Sequence, residues 1–394
     1  MGIRPFRWRG KYATLVREIG FHSPRPDSST PTSLHMTAFA SGMHSHDRAI
    51  ARWLILVACL IFVMVILGGV TRLTGSGLSI VEWAPVMGAI PPLSEQEWQE
   101  SFDKYKQFPE YQKINHAMSL SEYKEIFAFE YAHRLLGRFI GLVFLIPFLF
   151  FYFKKRIRPE LLPKLIIMFV LGGLQGLLGW LMVKSGLVDR PNVSQYRLAA
   201  HFMAAILIYS YILWQAWTLL YPNPRNGWAP GIQRLRTLVR WQTAIIILMI
   251  ISGAFVAGTH AGAIFKTFPD MNGHFIPNGM FAMQPLLVNF VENPTTIQFV
   301  HRSIAWLIFA FVLYIWWQCR SYTLSNSARR SVHLLLFMML IQVTLGISTL
   351  LSEPHTVLRG GVSVPLAAMH QAGALLLFTI ILYVNHELRR GQRL

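Results

Sequence analysis

Charged residues are scarce in this sequence. Of its 394 residues only 14% are Asp, Glu, Lys or Arg, whereas 53% are hydrophobic. Soluble domains carry about 25% charged residues, so the shortage argues against a soluble globular protein. Cysteine is scarcer still, because Cys59 and Cys319 are the only two and both lie in apolar stretches. The sequence therefore excludes a structural disulfide between loops and predicts that both thiols are small core side chains.

The apolar residues form eight long blocks. Each block is close to the ~20 residues that a helix needs to cross the hydrocarbon core of a bilayer. The blocks cover about residues 50–71, 127–153, 164–183, 197–220, 237–258, 297–318, 331–351 and 364–385. A closed β-barrel would show weaker, alternating segments instead. We therefore predict an all-α polytopic membrane protein with eight transmembrane helices.

Acidic residues are half as numerous as basic ones, 18 against 36, and the formal net charge is +18. With eight spans, both termini lie on one side of the membrane, together with the loops after the second, fourth and sixth spans. Most Lys and Arg residues outside the spans fall on that side. The positive-inside rule then places both termini in the cytoplasm, or in the mitochondrial matrix. The charge indicates topology, and we expect no nucleic-acid partner.

The first 48 residues precede the apolar blocks and contain many Arg and Ser residues. They are compatible with a disordered cytoplasmic arm, with a transit peptide, or with an upstream extension in which Met43 is the true start. We assign residues 1–48 to an arm outside the fold and residues 389–394 to a basic C-terminal tail.

The chain contains an internal repeat. The segment "FEYAHRLLGRFIGLVFLI" aligns with "QFVHRSIAWLIFAFVLYI", and "GGVTRLTGSGLS" resembles "SGAFVAGTHAGA". Chemically distinctive residues recur at offsets of 167 to 169 positions: His133-Arg134 and His301-Arg302, Gln175 and Gln342, Gly179 and Gly346, His201 and His370. Such constant offsets indicate two copies of one four-helix unit.

Each copy has an even number of blocks, so both copies would cross the membrane in the same orientation. We expect two parallel-repeat four-helix bundles related by a pseudo-twofold axis along the membrane normal. The first would comprise residues 49–221, with a large outer loop at 72–126, and the second would comprise residues 222–388.

The large outer loop carries two helix-start signals. Ser94 is followed three residues later by Glu97, and Ser119 by Glu122. Both pairs have the capping-box pattern of a helix N-terminus. We predict two short amphipathic helices on the outer surface.

Four histidines recur near the outer ends of the second and fourth helices of each copy: His133, His201, His301 and His370. Facing helices of a four-helix bundle build cofactor sites in its core, and two inward-pointing imidazoles suit six-coordinate haem iron. Zinc or copper would need further ligands, which do not recur in each half. One such histidine could be a hydrogen-bonded packing group, but the repeated pairs favour haem ligation.

Three arginines lie close to these histidines in the sequence. Arg134 and Arg302 each directly follow a ligand candidate, and Arg138 lies one turn beyond Arg134. At the headgroup level they could bind haem propionates through charge-assisted hydrogen bonds. The alternative is that they extend toward lipid phosphates.

Glu130 breaks the symmetry of the repeat. It lies three residues before His133 on the same helical face, whereas the second copy has Gln298 at that position. A carboxylate in one half predicts proton-coupled chemistry there and a permanent cofactor in the other half. Glu130 would act as a general base or would stabilise positive charge on a substrate carbon. The alternative is a favourable acid at the N-terminus of its helix.

Together these residues resemble the haem A synthase family over about residues 50–388. The resemblance rests on "GGVTRLTGSGLS", on "FEYAHRLLGR", on the four histidines and on the loop "YKQFPEYQKINHAMSLSEYKEIFAFEY". That loop is similar to the subclass of mitochondria and proteobacteria, and the outer-loop cysteine pair of another bacterial subclass is absent from this sequence. The implied location is the bacterial cytoplasmic membrane or the mitochondrial inner membrane.

The resemblance implies an oxidoreductase that converts the C8 methyl group of haem O to a formyl group, making haem A for cytochrome oxidases. The oxidation would pass through hydroxylations to a geminal diol, which loses water. The resemblance assigns His133 and His201 to the substrate haem, His301 and His370 to haem b, and the essential acid to Glu130. Haem O synthase and an electron donor, either ferredoxin or a quinol, would be partners, and the chain could form a homo-oligomer.

Two other functions would use the same histidines. A dihaem b-type cytochrome would pass electrons between a quinol and a partner, but it leaves Glu130 without a role. A transporter with histidine proton relays would need ionisable residues at mid-span depth, where the sequence has almost none.

Overall fold

The structure is a computed structural model that describes residues 45–82, 87–187, 193–223, 226, 231–352 and 363–389. Most of the N-terminal arm and of the basic tail lies outside these described residues. The first helix begins at Ser45, so residues 45–48 are helical and belong to the first span. Asp47 in this first turn is buried and forms an ion pair with Arg158, with Oδ2 and Nη2 3.2 Å apart.

The described residues form eleven α-helices and no β-strand. They are α1 (Ser45–Leu73), α2 (Glu95–Lys106), α3 (Pro109–Lys113), α4 (Leu120–Phe153), α5 (Leu162–Gly186), α6 (Gln195–Leu220), α7 (Ile232–Gly258), α8 (Asn289–Glu292), α9 (Pro294–Gln318), α10 (Asn326–Leu351) and α11 (Val364–Glu387). Eight of them are long and apolar enough to cross a membrane: α1, α4, α5, α6, α7, α9, α10 and α11. The prediction of an all-α polytopic membrane protein is confirmed.

The two capping boxes are present, but they start different kinds of helix. Ser94 and Glu97 cap the N-terminus of α2, which is the amphipathic surface helix that the sequence predicts. Ser119 and Glu122 cap α4, so the prediction of a separate short helix there is wrong, and this membrane helix begins before the apolar block at residue 127. The second short helix is α3, which follows α2 and begins at Pro109.

Aromatic packing explains why α4 extends outward beyond its apolar block. Tyr123, in the second turn of α4, is buried between rings of α2. Its ring centroid lies 5.0 Å from that of Phe102 and 5.2 Å from that of Tyr105. Ile126 and Phe127 join the same buried cluster. Because buried aromatic rings contribute much of the packing energy, this cluster fixes the first outer loop onto the outer end of α4.

The membrane helices contact one another in the same order in both halves of the chain. In the first half α1 packs against α4 and α6, and α5 packs against α4 and α6. In the second half α7 packs against α9 and α11, and α10 packs against α9 and α11. The halves meet where α1 packs against α11 and α6 packs against α7 and α11. These contacts are those expected of two four-helix bundles, while the symmetry axis stays a prediction.

The two cysteines differ in their surroundings. Cys319 is buried in the core, as predicted, but Cys59 is on an exposed face of α1, so the prediction for Cys59 is wrong. Both thiols are free. The helix faces that point outward from the bundles are apolar, since hydrocarbon surrounds them, and a small apolar side chain is as suitable there as in the core.

Candidate functional site

The structure brings the four predicted histidines together in two pairs. His133 lies on α4 and His201 on α6, whereas His301 lies on α9 and His370 on α11. All four side chains are half-buried. His133 lies near His201, and His301 lies near His370. Each pair therefore comes from the second and fourth membrane helices of one half.

A glycine on a neighbouring helix faces each of these imidazoles. The contacts join Gly68 to His133, Gly179 to His201, Gly253 to His301 and Gly346 to His370. A Cβ atom on Gly68 would lie 3.1 Å from His133 Nε2, and one on Gly346 would lie 2.9 Å from His370 Cε1. Side chains at these positions would displace the rings. The repeat pairs Gly179 with Gly346, but it does not by itself indicate that glycine faces histidine.

Glutamines on the third membrane helix of each half hold the fourth-helix histidines. Gln175 Nε2 donates to the backbone oxygen of His201 at 2.9 Å, and Gln342 Nε2 donates to that of His370 at 3.0 Å. Gln342 Nε2 also lies 3.1 Å from His370 Nδ1. The sequence shows the glutamine as a repeated residue, but it does not indicate that this glutamine positions a histidine.

These residues fit haem better than a metal ion held by the protein alone. No group of three or more His, Cys, Asp or Glu residues that could hold a metal ion exists in the described part of the chain. Two imidazoles per half match the axial donors of haem iron, whereas structural zinc takes four protein ligands. The glycines leave the ring edges uncrowded. In addition, His201 Nδ1 is buried without a hydrogen-bond partner among the described residues.

Glu130 is buried on α4, one turn before His133, and its carboxylate is held from two sides. Oε2 accepts hydrogen bonds from Ser79 Oγ at 2.7 Å and from the Ile80 backbone N–H at 2.8 Å. Oε1 accepts from Arg134 Nη2 at 2.6 Å and from Arg134 Nε at 3.1 Å. Because α4 begins at Leu120, Glu130 lies beyond the first turn. Its interpretation as a helix cap is therefore wrong.

Gln298 occupies the equivalent place in the second half and is equally buried, with 3% of its surface exposed, as for Glu130. Its Nε2 donates to the backbone oxygen of Phe265 at 3.0 Å. Its Oε1 has no hydrogen-bond partner in the described ranges. In the first half, a carboxylate thus accepts hydrogen bonds from the outer loop of that half. In the second half, a neutral amide donates a hydrogen bond to the outer loop of its half.

The two repeated arginines hold the outer loops. Arg134 Nη2 donates to the backbone oxygen of Ile80 at 2.8 Å, in addition to its ion pair with Glu130. Arg302 donates through Nη2 to the backbone oxygen of Phe265 at 3.0 Å and through Nη1 to that of Asp270 at 2.8 Å. The third predicted arginine, Arg138, is half-buried one turn beyond Arg134. Propionate binding by these arginines stays a prediction.

Comparisons with known proteins identify the family. A family model described as "COX15-CtaA: Cytochrome oxidase assembly protein" matches residues 51–382. A protein named "Heme A synthase" from Nitrosospira multiformis is 52% identical over 344 residues, which cover 87% of this chain and 94% of the relative. "Heme A synthase COX15" from Arabidopsis thaliana is 40% identical over 391 residues, which cover 97% of this chain and 83% of the relative. The chain belongs to the COX15-CtaA family of cytochrome oxidase assembly proteins.

Proposed function

We propose that this membrane protein is an enzyme that makes haem A from haem O. The difference between its two repeated sites is the observation that carries this function. Both halves offer two histidines, but a buried carboxylate accompanies His133 whereas an amide accompanies His301. Relatives named for haem A synthesis are 40–52% identical to this chain over most of its length. The chemistry is therefore assigned to the first half.

In this proposal His133 and His201 face the substrate, haem O, and His301 and His370 hold a resident haem b. Haem b would supply a redox-active iron there, whose potential the residues that hold it would help to set. Gln175 and Gln342 orient the fourth-helix histidine of each pair. The arginines Arg134, Arg138 and Arg302 supply positive charge at the outer end, where propionates would be accommodated.

Glu130 would act on the C8 methyl group as it is oxidised to the formyl group. Its carboxylate is fixed by Arg134, by Ser79 and by the backbone of Ile80. A negative charge held in one orientation can stabilise positive charge that develops on the methyl carbon, and it costs no reorganisation during the reaction. The same oxygen atoms can accept a proton when the geminal diol loses water.

The competing function is a dihaem b-type cytochrome that transfers electrons. It uses the two histidine pairs equally well, but it requires no carboxylate beside one of them. The family comparisons do not favour it, because the relatives are named for haem A synthesis.

The proposal includes a topology and partners. Both termini would lie on the cytoplasmic or matrix side, where the basic loops are. An enzyme that supplies haem O, namely haem O synthase, would act before this one, and ferredoxin or a quinol would donate electrons. Association of several copies of the chain is compatible with this scheme.

The test is to extract the haems from the purified protein, separate them by chromatography and record their spectra. We expect haem b together with haem O or haem A. Two molecules of haem b per chain would instead favour the electron-transfer cytochrome, and a protein that binds no haem would contradict both functions.

A further inference from the structure

The second-half outer loop contains a long stretch without charge. From Met271 to Val291 the chain has no Asp, Glu, Lys or Arg. We call residues 271–291 the apolar loop. Met271 and Met280 are buried, but most of its large apolar side chains point outward, and the exposed fractions reach 76% for Phe275, 71% for Ile276 and 76% for Leu287. Soluble proteins rarely expose contiguous apolar surface of this kind, and such patches usually indicate an interaction site.

Two buried asparagines bind part of the backbone of the apolar loop, whereas its other polar side chains are exposed: Asn272, His274, Asn278 and Gln284. Asn289 is fully buried, and its Nδ2 donates to the backbone oxygens of Met283 at 2.8 Å and of Leu286 at 2.9 Å. Asn293, two residues after the loop, donates through Nδ2 to the backbone oxygens of Gly279 at 2.8 Å and of Met280 at 3.1 Å. The neighbouring exposed side chains of Phe275 and Ile276, and of Leu286 and Leu287, are the unusual feature for a loop in water.

The stretch that leads into the apolar loop lies alongside a membrane helix. The ring of Phe268 stacks on Trp306 of α9, with centroids 6.0 Å apart. Trp306 is twelve residues beyond the start of α9, or about 18 Å along its axis at 1.5 Å per residue. Arg302, on the same helix, binds the backbone oxygens of Phe265, Thr267 and Asp270. This part of the loop therefore descends beside α9 to a depth within the span.

The first outer loop has the opposite character. Its helix α2 exposes the charged side chains of Glu95, Glu97, Glu100, Asp103 and Lys104, and Lys104 pairs with Glu82 at 2.7 Å. Such a surface suits water. The contrast within one chain indicates that the two outer loops lie in different solvents.

We propose that the apolar loop lies in the leaflet of the bilayer on its own side of the membrane, with Phe275, Ile276, Leu286 and Leu287 in contact with lipid. Lipid is favoured over a protein partner because the loop continues from a stretch packed on the lipid-facing Trp306. Aromatic and aliphatic side chains without charge are also those that partition into the interface of a bilayer. The buried asparagines bind four backbone oxygens of the loop, which would otherwise lack partners in a low-dielectric surrounding.

The test uses variants with one accessible cysteine, labelled with an environment-sensitive fluorophore in reconstituted vesicles. Cys59 is first replaced by alanine, and Cys319, which is buried, is kept. Phe275→Cys and Leu287→Cys report on the apolar loop, and Gln96→Cys on the exposed face of α2 is the matched control. The absorption spectrum of bound haem verifies that each variant is folded.

We expect phosphatidylcholine brominated on its acyl chains to quench the labels at residues 275 and 287 several-fold more than the label at residue 96. Aqueous iodide should quench the label at residue 96 best. If iodide reaches residues 275 and 287 and brominated lipid does not, the loop is in water and the proposal is wrong. If neither quencher reaches them, a protein surface covers the loop, which also contradicts the proposal.

Discussion

At the scale of single residues, Glu130 and Gln298 form a natural comparison. Replacing Glu130 with Gln puts the second-half residue into the first half, so the local shape is kept while the charge is removed. We expect Glu130→Gln to keep its bound haem and to lose formyl production roughly 100-fold or more, as is typical when a proton-transfer group is removed. Chromatography of the extracted haems measures the haem A formed.

The control for this variant is Glu110→Gln, which changes a carboxylate that is also buried but lies in α3, on the outer loop. It should leave haem A formation unchanged. If Glu130→Gln makes haem A at the normal rate, the carboxylate only anchors Ser79 and Ile80, and its catalytic assignment is wrong.

The glycines that face the histidines give a second prediction at this scale. In Gly346→Ala the new Cβ atom would approach His370 Cε1 to 2.9 Å, so the imidazole must move away from its position. We expect this variant to lose most of the haem b that we propose for the second half, as measured by the pyridine haemochrome spectrum. Gly172→Ala is the matched control, because open space surrounds that position.

Alanine in a helix interior is favoured over glycine by about 0.5–1 kcal/mol. Gly172→Ala should therefore retain its haem and unfold at the same temperature or slightly higher. Equal haem contents in the two variants would show that Gly346 is not needed for the histidine geometry.

The sequence was sufficient to predict the pairs His133–His201 and His301–His370, because the repeat gives each four-helix unit one histidine on its second helix and one on its fourth, and these helices can face each other across the core. It also singled out Glu130, because the repeat lacks a matching acid. It could not predict that Arg134 and Arg302 bind the backbone of the outer loops. Those contacts join residues 32 to 54 positions apart, and they depend on how each loop folds back over its helix.

At the scale of helices, the apolar blocks predicted eight spans because hydrocarbon imposes a minimum length on each. The ends were less predictable where polar residues continue a helix. The polar turns of α4 from Leu120 are helical because Tyr123 packs against α2. No pattern within residues 120–126 distinguishes this membrane helix from a separate surface helix.

The outer ends of α1 and α7 meet through Arg72 and His260, and this contact should depend on pH. Arg72 Nη2 lies 3.0 Å from His260 Nε2, an arrangement that requires a neutral imidazole as acceptor. Partial desolvation, together with the Arg72 charge, lowers the pKa of His260 from its ordinary 6.5. Since the folded state favours the neutral ring, the stability from this contact is present above the ordinary value and decreases as the pH falls below it.

We expect acidification from about pH 8 to about pH 5 to lower the unfolding temperature of the wild type more than that of His260→Asn. The difference should correspond to less than about 1 kcal/mol, because the contact is exposed. Asparagine suits the control, since it tolerates the left-handed backbone at this position, where φ is 55°. Equal shifts in both proteins would exclude His260 as the titrating group.

At the scale of the whole molecule, the two halves are joined by polar contacts at several depths. Gln371 Nε2 donates to the backbone oxygen of Val65 at 2.7 Å, which links α11 to α1. Deeper in the interface, the hydroxyls of Tyr209 and Thr379 share a hydrogen bond of 2.8 Å, which links α6 to α11. Hydrogen bonds of this kind join helices in a solvent that offers no hydrophobic driving force between them. These hydrogen bonds therefore join the two halves that carry the two histidine pairs.

The contact between Gly69 and Gln371 allows a sharp test of this interface. A Cβ atom on Gly69 would lie 2.0 Å from Gln371 Oε1, so Gly69→Ala must displace the amide and break its hydrogen bond to Val65. We expect Gly69→Ala to destabilise the protein by about 0.5–1.5 kcal/mol, the usual net value of one hydrogen bond. In a Gln371→Ala background the same substitution has no amide to displace. There it should stabilise the protein by about 0.5–1 kcal/mol through helix propensity.

Thermal release of haem from the four proteins of this double-mutant cycle measures the effect. A change of sign between the two backgrounds is expected, because the residues are in contact and their effects should not add. Additive effects would mean that Gln371 does not occupy the space above Gly69 and that other contacts join α1 to α11. Since Gln371 directly follows His370, the haem b spectrum of Gly69→Ala should shift as well, whereas a purely mechanical loosening of the interface would leave it unchanged.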